Sequence, residues 1–259
     1  YLKKWSNRTS LNVNNGIILG KEARSNLVWT NTADPRPDYY KYMPSYIVDT
    51  LLSNQLRDWY LQHPQQLQIN FDQMDRVNNA TSEKRSFYIV NQENSSLLLL
   101  HGSIQFAHVV KQKVNFQIGI EYALDKIRFF NTIKDLLGGQ FFFNYNGWMN
   151  DDTLAFSFQN DISQPNKKIK QGEKWGADYT MHSFQAKPWL QVQKQGPVFE
   201  TGFALGYGFE GIERMGSNQN GLYPNSKGKS GFQYFTTADM KAQLKILWRF
   251  LIQVRRFQD

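Results

Sequence analysis

Alternation with a period of two recurs along this chain, and no other feature restricts its fold so tightly. Successive side chains of a β-strand point to opposite faces, so such alternation marks a strand with two unlike faces. From Val114 to Leu124, one face holds Val114, Phe116, Ile118, Ile120, Tyr122 and Leu124. The other holds Asn115, Gln117, Gly119, Glu121 and Ala123. From Phe199 to Phe209, Phe199, Thr201, Phe203, Leu205, Tyr207 and Phe209 oppose Glu200, Gly202, Ala204, Gly206 and Gly208. Thr9–Leu19, Leu98–Phe106, Phe184–Val192 and Tyr234–Ile246 follow the same rule less cleanly. Each run is about 9–11 residues or a little more, the length that crosses a bilayer as a tilted strand.

The joins between these runs alternate between short and long. Lys111-Gln112-Lys113 and Lys194-Gln195-Gly196-Pro197 are tight turns. The others run from about Lys21 to Lys84, Asp125 to Thr180 and Gly211 to Gly231. Loops of that length count against a strand assignment in a soluble domain. In outer-membrane barrels, short periplasmic turns and long extracellular loops are the rule. The expected fold is therefore all-β: antiparallel up-and-down strands forming part of a large transmembrane β-barrel with long extracellular loops. About six strands occupy residues 1–259, taken as one partial barrel. Within the loops, Ser45–Tyr60 is the one helix candidate, with Ile47, Leu51, Leu52, Leu56 and Trp59 at helical spacing.

Composition narrows the class further. Mean hydropathy is −0.58, and no apolar stretch approaches the 18 or so residues that a transmembrane helix needs. A membrane β-barrel keeps a low average hydropathy and stays open. Net charge is +8 and the pI about 9.4, which suits nucleic acid or an anionic surface. The charges are scattered, with only short pairs such as Lys167-Lys168 and Arg255-Arg256, so a solvated basic surface is the simpler reading and nucleic acid is not an expected partner. The absence of cysteine excludes disulfides and thiolate chemistry. The start at Tyr1, without Met or signal peptide, reads as a fragment or a mature or trimmed form.

Motifs for chemistry are weak. Gly206-Tyr207-Gly208-Phe209-Glu210-Gly211 matches the dinucleotide fingerprint, but a Gly- and Asn-rich stretch follows where a helix is required. These glycines read better as strand positions facing a crowded interior. Gly228-Lys229-Ser230 lacks the first glycine of a P-loop, because Tyr223 stands there. His63, His101, His108 and His182 have no ligand spacing. Asp72, Asp75, Asp151 and Asp152 read as solvated loop carboxylates rather than calcium ligands or general acids and bases. Neither an enzyme, a metal nor a cofactor is expected.

Four segments carry a family resemblance: Asp34-Pro35-Arg36-Pro37-Asp38-Tyr39-Tyr40 with Pro44-Ser45-Tyr46; Asp135-Leu136-Leu137-Gly138-Gly139; Gln159-Asn160-Asp161-Ile162 with Pro165-Asn166 and Gly172-Glu173-Lys174; and Asn220-Gly221-Leu222-Tyr223-Pro224 leading to Ser226-Lys227-Gly228-Lys229-Ser230. In this order they resemble the large TonB-dependent outer-membrane receptors of Bacteroidetes type. The resemblance implies a plugged barrel of about 22 strands in the outer membrane. It also implies energised import of a solute through the inner-membrane TonB complex, and a possible surface lipoprotein partner. The plug domain and the TonB-contacting segment would lie upstream. The last stretch, LWRFLIQVRRFQD, loses alternation, so an internal barrel fragment with an aberrant tail is expected.

Asp34, Arg36, Asp38, Tyr39, Tyr40 and Tyr42 are the candidate ligand-facing residues of the first long loop. Prolines 35, 37 and 44 lower the entropy lost on ordering it, and tyrosines give rigid contact area with a polar tip. The plainer reading is a loop packed on its neighbours for rigidity. Two other classes compete: a soluble β-sandwich that binds carbohydrate, and a barrel hydrolase. The sandwich needs a second apolar layer over Phe199, Phe203, Leu205 and Tyr207. The hydrolase needs a nucleophile and base, and the sequence singles out none.

Overall fold

The computed structural model describes residues 1–111, 113–146 and 158–246. Gln112, Asp151, Asp152 and the stretch 247–259 lie outside them. The elements are β1 (Leu2–Ser6), β2 (Thr9–Trp29), α1 (Thr50–Gln62), α2 (Phe71–Asn79), β3 (Tyr88–Val110), β4 (Val114–Asp135), β5 (Phe142–Phe143), β6 (Lys168–Ile169), β7 (Lys174–Gln195), β8 (Phe199–Gly216), β9 (Gly228–Lys229) and β10 (Gln233–Ile246). Among the described residues, four short 3-10 turns aside, the long joins hold the two helices, the small β5–β6 ribbon and β9.

All six expected runs are strands of one antiparallel sheet, ordered β1-β2-β3-β4-β7-β8-β10, with β9 on the upper end of β8. β8 pairs with β7 on one side and β10 on the other. Among the described residues β1 and β10 are the two edges, and they do not pair with each other.

Register turns the one-dimensional alternation into two continuous faces, because residues paired across antiparallel strands share a face. Leu11, Phe106, Ile118 and Leu190 share one face, as do Val13, Ile104, Ile120 and Pro188. Leu190 pairs with Leu205, which pairs with Met240. The opposite face carries polar groups, among them Gln105 donating to Gln117 at 3.1 Å and Lys187 bridging Asp239 at 2.7 Å. Gly206 and Gly208 face this polar side, and added Cβ atoms would meet Lys187 and Asp239 or Thr237.

Several boundaries differ from expectation. The strands are nearly twice as long as their alternating cores: β2 has 21 residues, β3 23, β4 and β7 22 each. The long joins shrink accordingly, starting at Thr30, Leu136 and Ser217 rather than Lys21, Asp125 and Gly211. In β3 the added length is polar on both faces, as in Glu93-Asn94-Ser95-Ser96, and in β4 Ile127 and Phe129 fall on the face opposite Leu124, so a single alternation does not reveal them. β1 is a further unexpected strand, closing a hairpin at Asn7-Arg8 on the same end as the other short turns. The helix candidate begins at Thr50, not Ser45, because Asp49 caps it by accepting from the Leu51 and Leu52 amides; Pro44–Tyr46 forms a separate 3-10 turn. Asp72 and Asp75 sit on α2 rather than in an open loop, where Asn70 supplies the cap.

The core lies at the long-loop end of the polar face. Ile89, Ile133, Leu136, Phe142, Ile169 and Trp175 pack there with Val28. Asn78 of α2 ties it together. Its Nδ2 donates to the Tyr88, Leu136 and Leu137 carbonyls at 2.8–3.0 Å, and its Oδ1 accepts from the Phe87 and Tyr88 amides. The Asp135-Leu136-Leu137-Gly138-Gly139 segment presents those carbonyls through a left-handed turn, with φ of 46° at Leu137 and 81° at Gly138. Gly139 lies against the Ser86 hydroxyl with no space for a Cβ.

Asn78→Ala removes the side-chain partner of the Phe87 and Tyr88 amides and of the Tyr88 and Leu137 carbonyls, while the Leu136 carbonyl keeps the Ser86 hydroxyl. At about 1–3 kcal/mol for each group left unpaired, the loss should reach at least about 3 kcal/mol in denaturant unfolding followed by tryptophan fluorescence. Asn78→Asp, which keeps the acceptor and loses the donors, should fall between. Wild-type stability in Asn78→Ala would contradict the hub assignment.

Candidate functional site

Above the polar face, at the long-loop end, lies a cleft of about 940 Å³. Its floor comes from β2, β3, β4 and β7, and its roof from the loop that follows β2. The floor is ordered by a one-way chain of hydrogen bonds. The Trp175 indole, which can only donate, bonds Asn91 Oδ1 at 2.9 Å. Asn91 Nδ2 then donates to Asn26 Oδ1 at 2.8 Å, and Asn26 Nδ2 to Glu93 Oε1 at 3.1 Å. Each amide is thereby fixed in orientation, and the chain ends on an exposed carboxylate that lines the cleft.

The roof is built from the proline- and tyrosine-rich loop. Arg36 forks onto Asp34, Nε to Oδ1 at 2.9 Å and Nη2 to Oδ2 at 2.6 Å, while its guanidinium lies 5.3 Å from the Trp29 ring and 5.8 Å from Tyr39. The Asp34 carboxylate also accepts from the Arg36 amide. These bonds from Arg36 hold the Asp34 carboxyl below the usual carboxylate range against the opposing effect of burial. Tyr42 Oη donates to the Asp34 carbonyl, and burial raises its phenol pKa, so it remains a donor. Tyr60 reaches back to the Tyr42 carbonyl, Ser53 to that of Pro44, and Tyr88 to that of Ala33.

Of the six candidate residues, Asp34, Arg36, Tyr39 and Tyr42 line the cleft, and Asp38 and Tyr40 do not. Tyr40 is exposed and packs edge-on against Tyr39 and Tyr46. The loop is thus braced by its neighbours, and four of the six residues also line the cleft. Lys41, Trp29, Asn91, Glu93, Asn131 and Trp175 join the lining without having been singled out. Trp29 stands just before the loop and was the one findable signal.

The other family-like segments brace adjoining loops. Asn160 and the Gly176 amide both donate to Asn144 Oδ1, at 3.3 and 2.8 Å, and Asn218 donates to the Gly176 carbonyl. Gln159 pairs with Asn166 through both ends of its amide. Asp161 accepts from Ser163, and the Ser226 hydroxyl links Asn218 to Asn220. The histidines are dispersed: His63 stacks on Trp59, His101 meets Asp125 at 2.8 Å and His108 meets Thr9 at 2.9 Å. Among the described residues, no group of three or more His, Asp or Glu could hold a metal ion. The cleft offers flat aromatic walls, fixed amides and a few charges. Such a lining can hold a ligand with one flat apolar face and a polar edge.

Comparison with protein-family models, curated proteins and solved structures yields no match to this chain.

The depressed Asp34 carboxyl has a definite pH signature. Its stabilising contribution is present above the ordinary carboxylate pKa, about 3.9, and is lost as pH falls through the lower folded value. Hydrogen-exchange protection of the Arg36 and Tyr39 amides should therefore hold at neutral pH and collapse under strong acid. Asp34→Asn should be loosened at neutral pH already and insensitive to acid. Equal protection factors for the two forms would remove the fork as the roof's brace.

Proposed function

We propose that this chain is a segment of a large outer-membrane β-barrel, its apolar face toward lipid and its polar face toward a lumen. The parent protein would be an active transporter of TonB-dependent receptor type, taking up a solute that first meets the cleft at the extracellular mouth. Partners on this reading are the TonB complex and plug domain through other parts of that protein, outer-membrane lipid, and a surface lipoprotein.

One observation carries the reading: an apolar sheet face of bilayer height with no described residue layered over it. Phe203, Leu205 and Tyr207 are 43, 44 and 51% exposed in mid-strand. The carbohydrate-binding sandwich would need a second layer there, and no described residue provides one. Exposed apolar patches of this extent require a partner phase. At about 3.4 Å per residue and a tilt near 40°, Val114–Leu124 spans about 26 Å of height, against a band of about 25 Å in outer-membrane barrels. Beyond Leu124 the same face turns to Lys126 and Arg128.

Aromatic rings gather at both borders of the band, as in the girdles of such barrels. At the upper border Phe184 lies over Gly211, and Phe209 and Tyr234 stack with centroids 5.5 Å apart. At the lower, Trp5 meets Phe106 at 6.3 Å. Asn15, a polar residue within the band, is bonded by the Tyr122 hydroxyl across Gly102. Every short turn is at one end of the sheet and every long loop at the other, the segregation expected of periplasmic and extracellular sides.

Phe203→Arg puts a charge on the lipid face at a cost of about 2–4 kcal/mol near mid-membrane. It should block assembly of the protein in outer membranes, scored by heat-modifiable migration. Gly202→Ser should be tolerated, since the nearest atom to an added Cβ there is Gln193 Cγ at 3.6 Å. Equal behaviour of the two would reverse or abolish the face assignment.

Epitope tags separate the ends of the sheet. A tag beside Asn166 should be reached by antibody on intact cells, and one at Gly196-Pro197 only after permeabilisation. The opposite pattern would invert the topology. A monodisperse protein that needs no detergent would favour the soluble carbohydrate-binding sandwich instead.

A further inference from the structure

Four arginines among the described residues lie against aromatic rings, and three of them have an acceptor in the chain. Arg36, 5.3 Å from the centre of the Trp29 ring, gives Nε and Nη2 to Asp34. Arg128, 5.5 Å from the Phe130 ring, gives the same two nitrogens to Asp178 at 3.0 and 2.8 Å. Arg214, 4.8 Å from the Tyr179 ring, gives Nη1 to the Ser226 carbonyl at 2.7 Å.

Arg85 is the exception. Its guanidinium lies 4.8 Å from the Phe143 ring, 5.0 Å from Phe87 and 6.0 Å from Tyr145. Its Nε is the one buried side-chain nitrogen or oxygen without a hydrogen-bond partner among the described residues. Nor does the guanidinium form an ion pair with any of them. Glu83, two residues away, is exposed and stands 3.4 Å from Lys168 instead. Burial among the rings penalises the charged form and lowers the Arg85 pKa below the usual guanidinium range. A cation is thus seated as in the Arg36 and Arg128 pairs, with the carboxylate missing.

The seat adjoins the cleft. Arg85 bridges to Phe141 beside the β5–β6 ribbon, in which Phe143 pairs with Lys168. Phe143 and Tyr145 stack with centroids 5.0 Å apart and planes 13° from parallel. Tyr145 lines the cleft, and its hydroxyl bonds Asn166 Oδ1 at 2.8 Å. One aromatic stack therefore leads from the cleft to Arg85. Lys168 adds a second cation to it, its Nζ 6.0 Å from the centre of the Phe143 ring.

We propose that Arg85 is a carboxylate-binding subsite of the cleft, so that the solute taken there is an acid. The inference rests on the reading of the cleft as the place where solute is met. Nε is buried and Arg85 as a whole partly exposed, so the terminal Nη pair is the edge left for the ligand. Two parallel N–H groups match the two oxygens of a carboxylate, and the rings hold the guanidinium plane in position. The body of the solute would lie against Tyr145 and the amides of the cleft. An incoming carboxylate would supply the counter-charge that the chain gives Arg36 and Arg128 but withholds from Arg85.

The test is equilibrium dialysis of the purified protein in neutral detergent against two acids, each paired with its neutral form. Tetragalacturonate is set against its methyl ester, and acetyl-triglycyl-tyrosine against its C-terminal amide. At least one acid should bind about 10-fold or more tightly than its neutral form, the worth of a charge-assisted hydrogen bond. The arm that shows the difference tells an acidic glycan from a peptide terminus. Arg85→Gln should erase the difference. Arg85→Lys, which keeps a charge on the rings without the planar fork, should lose most of it and serves if the glutamine variant does not fold. Lys241→Gln, far down the polar face, should leave it unchanged. Acids that bind no better than their neutral forms, absence of binding by both acids, or a preference that survives in both Arg85 variants would overturn the subsite. None of these results touches the barrel reading, which the face and tag experiments decide separately.

Discussion

The hydrogen-bonded ladder that runs unbroken from β1 to β10 is the constraint on which everything else depends. Each inner strand has its backbone groups paired on both sides over most of its length. That frees the side chains from supplying backbone partners, so one face can be largely apolar. It also fixes which residues share a row, and one slip in register would exchange the two faces. Tight turns at Lys111 and Gly196 hold the register from one end, Gly196 by its amide on the Phe199 carbonyl at 2.8 Å.

The long-loop end obeys a different economy. There the ladder frays into loops whose backbone must be satisfied by side chains, and buried amides do it: Asn78, Asn144 and Gln159. An amide side chain both donates and accepts, so one residue can close a turn on each side of itself. The sheet below needs only pattern, whereas this end needs particular residues at particular places.

The same contrast sets what could be read from sequence. The six strand cores, their order and the placing of short turns were legible, since apolar and polar residues alternate there. The upper halves of the strands were not, because Asp125, Lys126, Arg128 and Asn131 are polar whichever way they point. α2 escaped notice because it is short, with only Phe71, Met74 and Val77 apolar among nine residues, and its anchor is the polar Asn78. Half of the cleft was legible for a related reason. Asp34, Arg36, Tyr39 and Tyr42 share one unusual loop, whereas Asn91, Glu93 and Trp175 come from separate strands that only the register brings together. Their amide and carboxylate character gave no sign of that meeting.

The proline- and tyrosine-rich loop joins these two regimes. It leaves the ladder at Thr30, whose amide makes the last bond to the Phe87 carbonyl at 3.0 Å, and it must then cross open space over the polar face. A flexible segment would sample many positions there and present no fixed surface. Prolines reduce the states it has to lose, and the tyrosines bond one another's carbonyls and those of Asp34 and Ala33. Rigidity is therefore what gives the cleft a defined shape, because a site holds a ligand with less entropic loss when its walls are already ordered. Tyr42 joins the two roles: its ring lines the cleft, and its hydroxyl donates the bond to the Asp34 carbonyl that keeps it there.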